Sequence, residues 1–422
     1  MFFYNLFRVF LWVFYICFFR RVYFLKFNRI PKKAPLIFIS NHSNGLLDPV
    51  LIAALQMRPV YFWVRAIEFS GGFKSWFLKT LHAVPIYRLQ DGRDKMHKNR
   101  ASLQTTRELL YKRNNTVFIA PEGVCVIQKK MNRFKLGCAQ LAFKMMEETN
   151  WTIDLKIQPV GVNYTYHEKF RSEVYISNGD PISVLNYKNL YLDSPVNAVN
   201  KLTEDMFSAL REQMVYIEKG NEALVENLLI LIRNNFPRDM FPMFSRNNAL
   251  FNAEKEITEY VNSLDEDKKN NLTTQVAAYL ELLTKEGASD YAVANKNNRN
   301  LFLLTIGFPL WLMGTIFGCL PHIMARTLRN KFVPFPEFSA SFAFFSALIV
   351  WVVWALIIFI SGSFFIGWGA LIIPFFMVFS QAFAYHYEDY YNEWKVILQY
   401  RKAVDKTALE NLRETILLSI AR

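Results

Sequence analysis

The hydrophobic pattern changes character three times along the chain. Residues 1–19 are apolar except for Asn5 and Arg8, and a basic stretch follows. The uninterrupted run Val9–Phe19 is too short to cross hydrocarbon, which needs about 20 residues. The pattern predicts an in-plane interfacial helix within residues 1–30, anchored by Arg20 and Arg21, with a short signal anchor as the alternative. A cleaved signal peptide is not predicted, because no small-residue cleavage site follows. From Pro31 onward, short β-type runs alternate with helical ones. Leu36–Ser40 (LIFIS), Val60–Val64 (VYFWV), Thr116–Ala120 (TVFIA), Ile157–Val162 and Glu173–Ser177 read as strands. Residues 98–112 and 136–148 have helical spacing between them. Strands alternating with helices predict an α/β domain, a central mixed sheet flanked by helices, over residues 31–235.

A charged, amphipathic helical pattern runs from about residue 202 to 292, and residues 236–300 read as a helical accessory region. Residues 301–387 read as membrane segments. Leu301–Leu320 has no charge but contains Pro309, and Phe338–Tyr387 is 50 residues without Lys, Arg, Asp or Glu. The second stretch has length for two spans, with Ser361-Gly362-Ser363 as the turn between them and Pro374 as a kink. Basic clusters lie at Arg326, Arg329 and Lys331, and again at Lys395, Arg401, Lys402 and Lys406. Positive charge near spans favours the cytoplasmic side. The arrangement that satisfies every cluster makes Leu301–Leu320 in-plane or re-entrant, broken near Pro309, and Phe338–Tyr387 a hairpin of two spans. Three ordinary spans are the alternative. Residues 388–422 read as an amphipathic tail helix.

Composition narrows the class. The chain has 422 residues, 52% of them hydrophobic, with 39 Phe and a net charge of +13. The basic charge implies an acidic partner surface. A nucleic acid would explain the charge but not the long apolar stretches, so the reading is anionic membrane lipid and no nucleic acid. Cys17, Cys125, Cys138 and Cys319 show neither disulfide nor metal-site spacing, and they read as inert thiols. The apolar spans hold no Asp, Glu, Lys or Arg of the kind that marks a transport path, and no inverted repeat is visible. Both observations weigh against a transporter or membrane scaffold.

The strongest local signal is Ser40-Asn41-His42-Ser43-Asn44-Gly45-Leu46-Leu47-Asp48-Pro49. A strand delivers His42 into a loop at its carboxyl end, where ligands of open α/β sheets bind. A histidine there can act as general base, and a nearby acid can orient its ring. Asp48-Pro49 also reads as an ordinary helix start, Asp capping and Pro in the first turn. Downstream, Ala83-Val84-Pro85-Ile86-Tyr87-Arg88 ends in an arginine suited to phosphate. Pro121-Glu122-Gly123 follows a strand directly, and Ile157-Gln158-Pro159-Val160-Gly161 is a strand containing proline. The plain readings of these three are a surface ion pair, a turn and an edge strand.

These four segments, in this order over residues 31–185, resemble the phospholipid/glycerol acyltransferase family, which includes the PlsC-like lysophosphatidate acyltransferases. The family pattern is an NH-x4-D block, a GVP-x-x-R-like block, FPEG, and a strand with proline. The resemblance implies a glycerolipid acyltransferase-like fold and transfer of a fatty acyl group from acyl-CoA or acyl-carrier protein to a glycerol-phosphate hydroxyl. Lysophosphatidate is the preferred acceptor and glycerol 3-phosphate the second. No cofactor is implied, because the acyl thioester is a co-substrate. His42 becomes the base and Asp48 its partner. Arg88 becomes a phosphate ligand, and Glu122 with Gly123 lies in the acceptor site. The Tyr279-Leu280-Glu281-Leu282-Leu283 segment with Gly287 and Asp290, placed before the membrane segments, is similar to the layout of eukaryotic-type glycerol-3-phosphate/dihydroxyacetone-phosphate acyltransferases. Two departures stand out. Five residues, not four, separate His42 from Asp48, and Gly45 could absorb the extra one. The third block lacks the aromatic residue before Pro121 and the arginine after Gly123, so a second phosphate cation would come from Arg65, Lys129, Lys130 or Lys135. The catalytic domain is expected on the cytoplasmic face, where thioester donors reside.

Overall fold

In the computed structural model, the described residues are 2–54, 56, 58–87, 92–111, 115–236, 243–296, 301–333 and 336–420. The chain divides into two compact units. The first comprises residues 1–15, 22–214 and 333–342; the second comprises residues 16–21, 215–332 and 343–422.

The first unit is built on a mixed sheet. Its strands are β1 (Arg21–Leu25), β2 (Leu36–Ser40), β3 (Val60–Arg65), β4 (Ala83–Ile86), β5 (Thr116–Ile119), β6 (Lys156–Tyr164), β7 (Glu173–Asn178) and β8 (Ile182–Ser183). They lie in the order β4-β3-β5-β2-β6-β7-β1, with β8 on β6. The pairs β4-β3, β3-β5, β5-β2 and β2-β6 are parallel, and β7 and β8 run antiparallel to β6. β2 is central. Its unbroken apolar run fits a strand covered on both faces, and Leu36, Ile37, Phe38 and Ile39 are fully buried. Each such side chain contributes about 1.5–3 kcal/mol of transfer free energy. β1 precedes the expected start of the domain at residue 31; its Val22, Tyr23 and Leu25 are buried, and Tyr23 stacks on Tyr175 of β7.

Helices α1 (Phe2–Phe18), α2 (Leu47–Ala54), α3 (Gly72–Thr80), α4 (Asn99–Tyr111), α5 (Gly137–Glu148), α6 (Lys188–Asp193) and α7 (Pro195–Arg211) accompany this sheet in the chain. α1 is amphipathic in its burial. Tyr4, Leu11, Phe14 and Tyr15 are buried, whereas Leu6, Val9, Phe10 and Val13 are exposed. The Tyr4 hydroxyl accepts from the Val60 amide, and the Trp12 indole N–H donates to the Ala54 carbonyl. α1 is thus pinned along one side and apolar on the other.

Apart from the two-residue strand β9 (Phe244–Ser245), the second unit is helical: α8 (Glu222–Asn234), α9 (Ala249–Ser263), α10 (Glu266–Lys285), α11 (Asp290–Ala294), α12 (Leu301–Phe332), α13 (Ser339–Ile366) from residue 343 onward, α14 (Ile372–Tyr400) and α15 (Lys406–Ile420). A buried polar hub ties its soluble part together. Asp290 accepts from the Tyr279 hydroxyl at 2.7 Å, the Asn234 amide at 2.8 Å and Arg413 Nε at 2.7 Å. Beside it, Arg233 Nε meets Glu254 Oε1 at 2.6 Å.

Two stretches are long and apolar enough to cross a membrane, Leu301–Phe332 and Pro336–Tyr400, and the chain is membrane-associated. The expected break near Pro309 does not occur. α12 is one helix through both Pro309 and Pro321, and 32 residues span about 48 Å. α12 lies against α14 so closely that a side chain at Gly314 would strike the Ser380 carbonyl and one at Gly318 would strike Gln381. Such small-residue seams hold membrane helices together, and packed neighbours let proline persist within them. The turn expected at Ser361-Gly362-Ser363 is also displaced. α13 runs on to Ile366, and the interruption is the 3-10 segment Gly367–Leu371. α14 continues past Glu388 to Tyr400, so the tail helix begins only at Lys406.

Candidate active site

Because β4, β3, β5 and β2 are parallel neighbours, their carboxyl ends share one edge of the sheet. That edge receives Tyr87 after β4, Arg65 at the end of β3, Glu122 and Gly123 after β5, and His42 after β2. Arg88 lies outside the described residues.

The end of β2 is fixed by Asn41. Its side-chain amide donates to the Val162 carbonyl at 2.9 Å and accepts from the Val162 amide at 2.8 Å. A side chain thus completes the pairing with β6 where the main chain turns away. His42 is then held by its backbone: its carbonyl accepts from the Val126 amide, and its amide faces the Glu122 carboxylate. Its ring Nδ1 lies 3.1 Å from Asp48 Oδ2; the His42 side chain is 18% exposed and that of Asp48 is fully buried.

Asp48 has four partners. Oδ2 faces His42 and also accepts from the amides of Ser43 and Asn44, both at 2.9 Å. Oδ1 accepts from the Tyr164 hydroxyl at 2.7 Å. The carboxylate therefore points back into the preceding loop, whereas a helix cap bonds amides in the turn that follows. The fifth intervening residue is accommodated by Gly45, which has φ +44°, and the Gly45 amide donates to Cys125 Sγ at 3.2 Å. Burial pushes the Tyr164 hydroxyl well above its ordinary pKa, so it stays protonated and donates to Asp48. Burial also pushes the Cys125 thiol up to about 12.

Glu122 is buried, and its Oε2 accepts from the backbone and side-chain amides of Asn132 at 2.8 and 3.0 Å. Burial raises its pKa, opposed by these bonds and by the His42 amide. Its carboxylate thus braces the loop that carries His42. The Lys135 side chain packs on Gly123, whose φ is +67°, and is solvent-exposed at the carboxyl end of β5. Lys129 is buried, with Nζ donating to the Tyr164 carbonyl at 2.6 Å. Arg65 is half-buried. The structure thus brings His42 and Asp48 into contact and sets Arg65, Gly123 and Lys135 along the same edge.

Sequence reasoning passed over Tyr164, gave Asn41 of the His42 segment no role of its own, and read Cys125 as an inert thiol. Tyr164 ends a nine-residue strand, and a hydroxyl at a sheet edge beside the His42 strand is the one signal that could have flagged it.

Residues 21–163 match the profile of the Acyltransferase family. A 235-residue stretch, 52% of the chain, is 25% identical to glycerol-3-phosphate O-acyltransferase 1 of Saccharomyces cerevisiae, and the chain covers 30% of that relative's length. Among solved structures, the 1-acyl-sn-glycerophosphate (LPA) acyltransferase PlsC from Thermotoga maritima aligns at 20% identity with a TM-score of 0.34, over 49% of this chain and 74% of that one.

Proposed function

We propose, from the premise that residues 21–163 form a domain of the acyltransferase family, that the chain transfers a fatty acyl group from a thioester to a glycerol-phosphate hydroxyl. The observation that carries the reading is the His42–Asp48 pair, held at 3.1 Å at the carboxyl end of the central strand.

His42 takes the proton of the acceptor hydroxyl through Nε2 as that oxygen attacks the thioester carbonyl. Asp48 holds Nδ1 and stabilises the imidazolium that forms. The carbonyl carbon becomes tetrahedral, then collapses to the ester, and the thiol of coenzyme A or acyl-carrier protein leaves with the proton. The acceptor supplies the nucleophile, so no protein acyl intermediate and no cofactor enter this scheme. Arg88, Arg65 and Lys135 supply cationic groups for the acceptor phosphate, and Glu122 acts through the His42 backbone. Glycerol 3-phosphate is the first acceptor, on the similarity to the yeast protein. Lysophosphatidate is the second reading, on the block pattern of residues 31–185. The sheet domain works on the cytoplasmic face against anionic lipid, with the apolar side of α1 in the interface.

The test uses the full chain in detergent with radiolabelled acyl-CoA and each acceptor in turn. Glycerol 3-phosphate should be acylated at the higher kcat/KM, and His42→Ala should lower the rate about 10²–10⁴-fold in a folded protein. Arg88→Ala should raise the acceptor KM far more than the thioester KM. Absence of ester product with both acceptors, in a folded sample, would overturn the proposal.

A further inference from the structure

We propose that Ser341 is a positioning residue of this site, holding the His42–Asp48 loop in its reactive shape from the first turn of α13. The inference rests on the acyl-transfer reading above.

The loop that returns Asp48 to His42 turns at residues 44–47. The Leu47 amide donates to the Asn44 carbonyl at 2.8 Å, closing the turn. The Ser341 hydroxyl spans the same two groups. It donates to the Asn44 carbonyl at 2.6 Å and accepts from the Leu47 amide at 3.1 Å. Ser341, Asn44 and Leu47 are all buried, so water cannot take over either bond. One hydroxyl, acting as donor and acceptor at once, thus staples both ends of a turn.

The turn it staples contains the residue by which this loop exceeds the four-residue spacing. Gly45 sits there at φ +44°. The Phe338 ring lies against it so closely that a Cβ would come within 2.7 Å of Phe338 Cδ1. Two residues of one short segment therefore close over one turn. A longer loop has more conformations to exclude, and the residues that exclude them come from almost 300 positions downstream. The geometry they protect is the one chemistry needs. Asp48 Oδ2 must stay on His42 Nδ1, and it does so by also binding the amides of Ser43 and Asn44. Asn44 is thus gripped on both sides, its backbone amide by Asp48 and its carbonyl by Ser341. Ser341 touches no reacting atom in this scheme. Its effect passes through the turn to Asp48, and from there to His42.

The alternative is that Ser341 is only a buried residue in the first turn of α13. The full chain in detergent separates the two, using Ser341→Ala and Ser341→Thr with two readouts. The first is steady-state acyl transfer. Ser341→Ala should lower kcat about tenfold or more, with KM for acyl-CoA and acceptor within about twofold of wild type and the unfolding midpoint nearly unchanged. Ser341→Thr keeps the hydroxyl and should retain kcat within about threefold. The second readout is amide hydrogen exchange in peptides covering residues 41–50, which should speed up at least about tenfold in Ser341→Ala and stay slow elsewhere in the sheet. Unchanged kcat together with unchanged exchange in Ser341→Ala would overturn the proposal. So would losses in which the midpoint, both KM values and kcat fall together and Ser341→Thr does no better. If the wild-type protein acylates no glycerol-phosphate acceptor, the functional reading fails, and the exchange measurement still decides whether Ser341 holds the turn.

Discussion

Replacing Asp48 by Asn removes a charge while leaving the shape of the site almost untouched. The Asn oxygen can take the position of Oδ2 and keep the bonds from the Ser43 and Asn44 amides. Its NH₂ then faces Tyr164, whose hydroxyl can rotate from donor to acceptor. The loop should therefore stay folded. What disappears is the negative charge facing His42 when the ring gains its proton. With charge centres about 4 Å apart and an effective dielectric of about 20, that interaction is worth about 4 kcal/mol. If it acts only once the imidazolium forms, its loss slows the reaction about 10³-fold. The assay is the initial rate of acyl transfer from radiolabelled acyl-CoA, measured beside the thermal midpoint of the same preparation. Asp48→Asn should lose about three orders of magnitude in kcat, with the acceptor KM little changed and the midpoint within a few degrees. A folded Asp48→Asn protein working within tenfold of wild type would refute the reasoning, because the buried carboxylate would then contribute shape alone.

Three other outcomes follow from the same structure. Gly45→Ala meets both a left-handed backbone and the Phe338 ring; it should cut kcat at least about tenfold and speed exchange in residues 41–50, read by kinetics and hydrogen exchange. His82 is stacked between Tyr4 and Tyr61, and burial pushes its pKa down to about 4. The unfolded chain takes up a proton near pH 6.5 where the fold does not, so stability should fall as pH drops from about 6.5 to 4, and His82→Phe should flatten that dependence in thermal midpoints taken across the window. Arg413→Met leaves Asp290 buried without its cation; denaturant unfolding in detergent should show a loss of about 3–5 kcal/mol.

The sheet was legible because its strands are short apolar runs bounded by polar turns; Leu36–Ser40 and Val60–Val64 needed no tertiary information to read. The His42–Asp48 contact was legible for a similar reason, since both residues lie in one loop. Tyr164 and Ser341 were not, because their hydroxyls reach the loop only after the chain has closed over long distances, and a lone Tyr or Ser carries no periodic signal. The membrane turn was misplaced for a local reason. Ser363 returns its hydroxyl to the Ile360 carbonyl at 2.7 Å, so a polar Ser-Gly-Ser stretch satisfies itself inside a helix, and the break falls instead at Gly367, where φ is +56°. Pro309 misled in the same way, as a breaker that packing against α14 overrides.

The bond between Ser341 and the Asn44 carbonyl joins positions 297 residues apart, and that separation sets a clock on biosynthesis. At about 5–20 residues per second, the ribosome takes about 15–60 s to travel between them. Throughout that interval strands β1–β8 can assemble, since β8 ends at residue 183, yet the turn beside His42 lacks its downstream hydroxyl. All of α12 is synthesised before Ser341 is. In a nascent chain the turn beside His42 is therefore completed only after the first membrane-length helix has been made.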